Sequence, residues 1–187
     1  MKSNILIEDP NMDIQTSIII AGEQLFLRYG IRSVSINDIS SSLGISKHLF
    51  YTYFPDKSAL LNEVCKRKID EAFLKLKRNQ HMGSALQEAE FLFEEISNFN
   101  SYFSALFFRD LELKYPYIYQ LFADFKIHLI EEVFALNIQQ GIIQGVYRSD
   151  TQVVMMSRLW FDLITYAYQY GYPLSIVKQH FIRGLLV

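Results

Sequence analysis

Helix-boundary signals crowd the first 57 residues at intervals that leave room only for short helices. Ile14, Ile18, Ala21, Leu25 and Tyr29 follow one another at spacings of 4, 3, 4 and 4, one face of an α-helix, with Asp13 placed to cap its start and Gly30 its end. Ser35 followed three residues later by Asp38 reads as a capping box, opening a second helix through Ile36, Ile39 and Leu43 that stops at Gly44. A third begins at Ser46 and ends by Phe54, because Pro55 disfavours helix at the residue before it. A fourth opens at Asp56 and continues to about Arg78. Two short helices joined at a glycine behind a packing helix form the outline of a helix-turn-helix.

The remainder carries the same signature. Gln80 to Ser84 reads as a break, and further helices are expected at about 85 to 99, 102 to 114, 117 to 140, 151 to 170 and 175 to 184. With 8 Gly and 4 Pro in 187 residues and no regular alternating β-branched runs, the chain is expected to be all-α, with about nine helices. No uncharged stretch reaches the roughly 20 apolar residues of a membrane span. Residues 1–12 lack the apolar run of a secretory signal, and Cys65 is the only cysteine, so a reducing cytoplasm is expected.

Net charge is −2, which argues against indiscriminate nucleic-acid binding through an overall field. Its distribution is uneven: residues 1–68 sum to +1 and residues 69–187 to −3, and 22 of the 28 aromatic residues lie in the second part. Two functional parts are therefore expected, divided as 1–57 and 58–187.

Residue types sharpen this on the third helix. Phe50 and Phe54, at i and i+4, read as core anchors, while Lys47, His48, Tyr51 and Thr52 are donors on other faces. Here the chain resembles the TetR family of bacterial transcriptional regulators. The resemblance is carried by Ala21 to Phe26, Gly30, Ser35 to Ile39, Leu43 to Lys47, Phe50 to Phe54, Asp56-Lys57 and Leu60-Leu61, about residues 13 to 64. It implies a sequence-specific DNA-binding regulator with an N-terminal three-helix DNA-binding domain and a C-terminal helical ligand-binding and dimerisation domain. By the same resemblance Ser35 and Asn37 lean on the DNA backbone, and Ser46 starts the recognition helix. Lys47, His48 and Leu49 face base edges, and Tyr51, Thr52, Tyr53 and Lys57 touch phosphates. His48-Leu49 departs from the small residue and Thr common at that pair. Leu49 cannot hydrogen-bond, so it is expected to meet a thymine methyl or a sugar.

Catalysis finds little support. The four histidines are scattered, neither HExxH nor CxxC occurs, and no glycine-rich phosphate loop is present, so no metal, cofactor or catalytic residue is implied. Aromatic density suggests an apolar pocket for a small hydrophobic or aromatic ligand, bounded by Phe93, Phe103, Phe107, Tyr119, Phe122, Phe125, Trp160 and Tyr166, although plain core packing also explains most of these rings. The wide apolar surface of residues 151–170 suggests a homodimer seam through Met156, Leu159, Leu163 and Ala167, joined by Phe181. The expected function is a ligand-responsive regulator, a repressor acting as a dimer on a palindromic double-stranded operator, with no membrane partner. A second reading stays open, an all-helical small-molecule-binding or enzymatic protein whose first three helices are only structural.

Overall fold

The computed structural model describes residues 13–80 and 83–187; the amino-terminal reading and His81-Met82 of the expected break lie outside them. The helices are α1 (Ile14–Tyr29), α2 (Ile36–Leu43), α3 (Lys47–Tyr53), α4 (Lys57–Asn79), α5 (Ala85–Tyr102), α6 (Ala105–Lys114), α7 (Pro116–His128), α8 (Ala135–Ile143), α9 (Val153–Tyr170) and α10 (Leu174–Leu185). A π-helical segment, Leu129–Phe134, joins α7 to α8, so Pro116 to Ile143 is one continuous helix and the described residues form nine. The only β pairing among them is an isolated bridge between Tyr147 and Leu186.

Local chemistry sets most boundaries. Asp13 Oδ1 accepts from Thr16 N at 2.9 Å and starts α1, and Gly30, at φ 81°, closes it with its N–H donating to Phe26 O. Two boundaries differ from expectation. The helix expected to end near 140 runs on to Ile143. α5 runs through Asn100-Ser101 to Tyr102, because Ser101 Oγ donates back to Asn98 O at 2.8 Å and stays within the helix. Ser104 is the cap instead, its hydroxyl accepting from Phe107 N at 3.1 Å.

The described chain divides into two compact units. The first runs to Ile69 and includes Phe103–Leu121, and the second holds Asp70–Tyr102 and Phe122–Val187. This division by packing differs from the functional one expected at residue 57, since the start of α4, all of α6 and the first half of α7 pack with the three N-terminal helices.

In the first unit Ile18, Phe26, Ile39, Phe50, Leu60, Phe103 and Phe107 are fully buried. α1 approaches α4 closely at Gly22, where a Cβ would come within 2.8 Å of Leu60 Cδ2, and Lys68 of α4 pairs with Glu23 of α1 at 2.9 Å. In the second unit Trp160 of α9 is the centre. Its ring stacks on Phe134 at 4.6 Å and 10° and meets Phe93 at 5.2 Å and Phe181 at 5.3 Å.

A buried polar knot fixes the start of α5 to α8. Asn137 Nδ2 donates to Ala85 O at 2.9 Å and Glu88 Oε2 at 3.1 Å, and the Tyr147 hydroxyl donates to Ala85 O at 3.1 Å. Burial beside Glu88 and Glu90 pushes the Tyr147 phenol well above its ordinary range. Gly141 leaves the room that the Tyr147 ring fills, since a Cβ there would overlap it.

Candidate nucleic-acid interface

α2 and α3 are each held by their own cap. Ser35 Oγ accepts from Asp38 N at 3.1 Å while Asp38 Oδ2 accepts from Ser35 N at 2.9 Å, the reciprocal box read from the sequence. Gly44 adopts the left-handed conformation, φ 67° and ψ 23°, that turns the chain between the helices. Ser46 Oγ then accepts from Leu49 N at 3.1 Å. Both hydroxyls thus serve the helix starts, and Ser46 Oγ, which accepts from Leu49 N, keeps its own O–H to donate.

α3 is anchored from beneath. Phe50 is fully buried and lies 5.9 Å from Phe54, also buried. On a helix, residues 47 and 51, and 48 and 52, lie one turn apart and form one continuous strip beside these anchors. Lys47, His48, Tyr51 and Thr52 are all exposed there, as are Tyr53 and, on α2, Asn37; Leu49 is half-buried. Tyr51 packs edge-on against Phe50 at 5.7 Å, which steadies its ring, and remains half exposed. Thr52 Oγ1 donates to His48 O at 3.2 Å. A lysine, an imidazole, a phenol and a hydroxyl on a strip without a carboxylate suit a polyanion.

Lys57 is placed differently from the rest. Its Nζ donates to Ile31 O at 3.0 Å and Val34 O at 2.9 Å, closing the α1–α2 turn onto the start of α4. Desolvation holds its ammonium below the ordinary lysine range, opposed by the nearby Asp110 carboxylate. The expected phosphate contact competes with this internal role. Sequence reading missed the clasp because its partners lie 23 and 26 residues away.

The residues expected to bound one pocket are distributed over both units. Phe103 and Phe107, 4.9 Å apart, and exposed Tyr119 belong to the first. In the second, Phe93 and Trp160 share one aromatic cluster, Phe122 and Phe125 pack on Phe99 at 6.3 and 5.0 Å, and Tyr166 is exposed beside Tyr170. Two cavities of the second unit are lined by other side chains. One of about 340 Å³ lies among Lys126, Ile130, Arg158 and Asp162, and one of about 140 Å³ among Phe73, His128, Glu132 and Val133. None of the eight expected residues lines either of these two cavities. Phe134, whose ring stacks on Trp160, was not singled out in the sequence; it ends the π segment, where side-chain direction departs from the 3.6-residue period.

Of the expected dimer seam, Leu159 is exposed and Met156 and Leu163 are half-buried. Ala167 and Phe181 turn inward instead: Ala167 is buried, and Phe181 packs on Trp160 and Phe93 within its own chain. Among the described residues no group of three or more His, Cys, Asp or Glu is placed to hold a metal ion, and no helix is long and apolar enough to cross a membrane.

Comparison with known proteins agrees with this geometry. Residues 18–64 match the family model described as bacterial regulatory proteins, tetR family, so the helix-turn-helix is of that kind. Among solved structures, a transcriptional regulator from Saccharomonospora viridis in complex with choline superposes with a TM-score of 0.77 at 23% identity, covering 89% of this chain and 92% of that one. A transcriptional regulator of the TetR/AcrR family from Thermobifida fusca gives 0.72 at 18% identity, over 92% and 98% of the two chains. The ketosteroid transcriptional regulator of Mycobacterium tuberculosis gives 0.66 at 17%, over 99% and 98%. At these identities the likeness is one of fold, an all-α TetR-like architecture. No match was found among the curated proteins.

Proposed function

We propose that this chain is a ligand-responsive, sequence-specific DNA-binding transcriptional regulator, a repressor that grips a palindromic operator as a homodimer. The observation that carries the reading is α3: Lys47, His48, Tyr51 and Thr52 exposed on one strip, Phe50 and Phe54 buried beside it, after a glycine turn from a capped α2. Lys47 and His48 are assigned to base edges, Leu49 to a methyl or sugar, and Asn37, Tyr51, Thr52 and Tyr53 to the backbone. Residues 1–57 serve DNA binding and residues 58–187 ligand binding and dimerisation.

Exposed apolar side chains on α9 support the homodimer. Met155, Leu159, Tyr166 and Tyr170 recur along one side of the helix with Met156 and Leu163 beside them, more apolar surface than a lone chain ordinarily leaves bare. The seam is thus Met156, Leu159 and Leu163 without Ala167 and Phe181. For the ligand, the choline-bound neighbour supports a small molecule. Trp160 Nε1, Asn100 Nδ2 and Thr165 Oγ1 are buried without a partner among the described residues, polar handles that a mainly apolar ligand would meet in the second unit.

Selection of bound sequences from random duplex DNA with the full-length protein tests the reading. Enrichment of an inverted repeat supports it, and a pool that stays random after repeated rounds contradicts it.

A further inference from the structure

We propose that His48 reads its base as an imidazolium, so that operator binding takes up one proton at this side chain. The inference rests on the DNA-binding reading above and adds to it a specificity residue whose charge state depends on the complex.

The imidazole is exposed on α3 and makes no hydrogen bond or ion pair with any described residue. α3 itself carries no acidic residue, and its one other charged group is Lys47, immediately before His48. None of the charged groups on the surrounding elements makes a described contact with the imidazole. On α2 the only one is Asp38, whose carboxylate is held by Ser35 N and Oγ at 2.9 and 2.8 Å. On α1 Glu23 pairs with Lys68, Arg28 lies 5.3 Å over the Tyr29 ring, and Asp13 caps Thr16. Arg32 stands exposed in the α1–α2 turn. Where α4 begins, Asp56 Oδ1 accepts from Ala59 N and Lys57 is tied to the Ile31 and Val34 carbonyls, with Glu63, Lys66 and Arg67 further along.

The free protein therefore offers His48 no carboxylate partner. DNA supplies both charge and acceptors. The phosphates favour a cation on this face. The major-groove edge of guanine presents two acceptors, N7 and O6, which an imidazolium meets with two donors while a neutral imidazole offers one donor and one acceptor. Imidazole is the side chain whose protonation changes nearest to neutral pH, so the difference between free and bound states falls where it can be read.

The test uses full-length protein and a duplex obtained by selection at pH 6, with affinity measured from pH 6 to 8 at fixed ionic strength. The parent should lose between about tenfold and a hundredfold in affinity over that range, log affinity falling by no more than one per pH unit, the limit for one proton taken up. His48→Gln should bind with nearly flat pH dependence, His48→Lys should hold at pH 8 most of its affinity at pH 6, and both should melt with the parent at pH 7. A flat parent profile, or a dependence that persists in His48→Gln through His128 or His180, overturns the inference while leaving DNA binding intact. Failure of the parent to select any duplex overturns the DNA-binding reading, and the inference falls with it.

Discussion

The ammonium of Lys57 and the carbonyl of Val34 meet at 2.9 Å across 23 residues of sequence, and the same ammonium reaches Ile31 O at 3.0 Å. Ile31 and Val34 are both buried, so these carbonyls have little access to water. Lys57→Ala should destabilise the protein by about 1 to 3 kcal/mol, the cost of leaving buried acceptors without donors. Thermal and denaturant unfolding measure it. A variant as stable as the parent would show that Lys57 is free for a phosphate after all.

Tyr51 and Lys47 separate backbone from base contact. Lys47→Ala should lose about 1 to 3 kcal/mol of discrimination between the selected duplex and single-base variants if it pairs with guanine. Tyr51→Phe, which keeps the ring against Phe50 and removes only the hydroxyl, should weaken all duplexes alike by about 1 kcal/mol. Competition binding reads both; equal losses from the two variants on every duplex would contradict the division of roles.

How much of this was legible in the sequence depended on distance along the chain. The Ser35–Asp38 box, the Gly44 turn and the Ser46 cap are chemistry within three or four residues, so their signals stand in the order of the letters. The Lys57 clasp, the inward turn of Phe181 and the allocation of Phe103 and Phe93 to different units depend on partners far away in sequence. The π segment shifts side-chain direction with no local signature that periodicity could detect.

For the homodimer, Leu159→Glu places a charge on an exposed α9 position and should leave the fold intact. In an apolar seam the buried, unpaired carboxylate should produce monomers with poor operator affinity. Light scattering with a far-ultraviolet helicity control decides it. A parent monomeric at micromolar concentration contradicts the seam.

Cys65 sets an alkaline limit. Burial raises its thiol from 9.0 to about 12, so the folded state keeps a proton that the unfolded chain releases. Its stabilising contribution is full below about pH 9 and is lost as pH rises from 9 toward about 12, by at most about 4 kcal/mol. Cys65→Ala should start less stable at pH 8, by roughly 1 kcal/mol for the small cavity, and decline less steeply than the parent between pH 9 and 11. Parallel declines in the two proteins would show that the thiol does not govern this range.

DNA recognition by α3 is the central claim, and its most direct measurement is the affinity of the full-length protein for its selected duplex and a scrambled one across a salt series. The account predicts that the selected duplex binds at least about a thousandfold more tightly than the scrambled one, and that log affinity falls linearly with log salt with a slope near −0.9 per phosphate contacted. Equal affinity for both duplexes, or no binding at 50 mM salt, would contradict it.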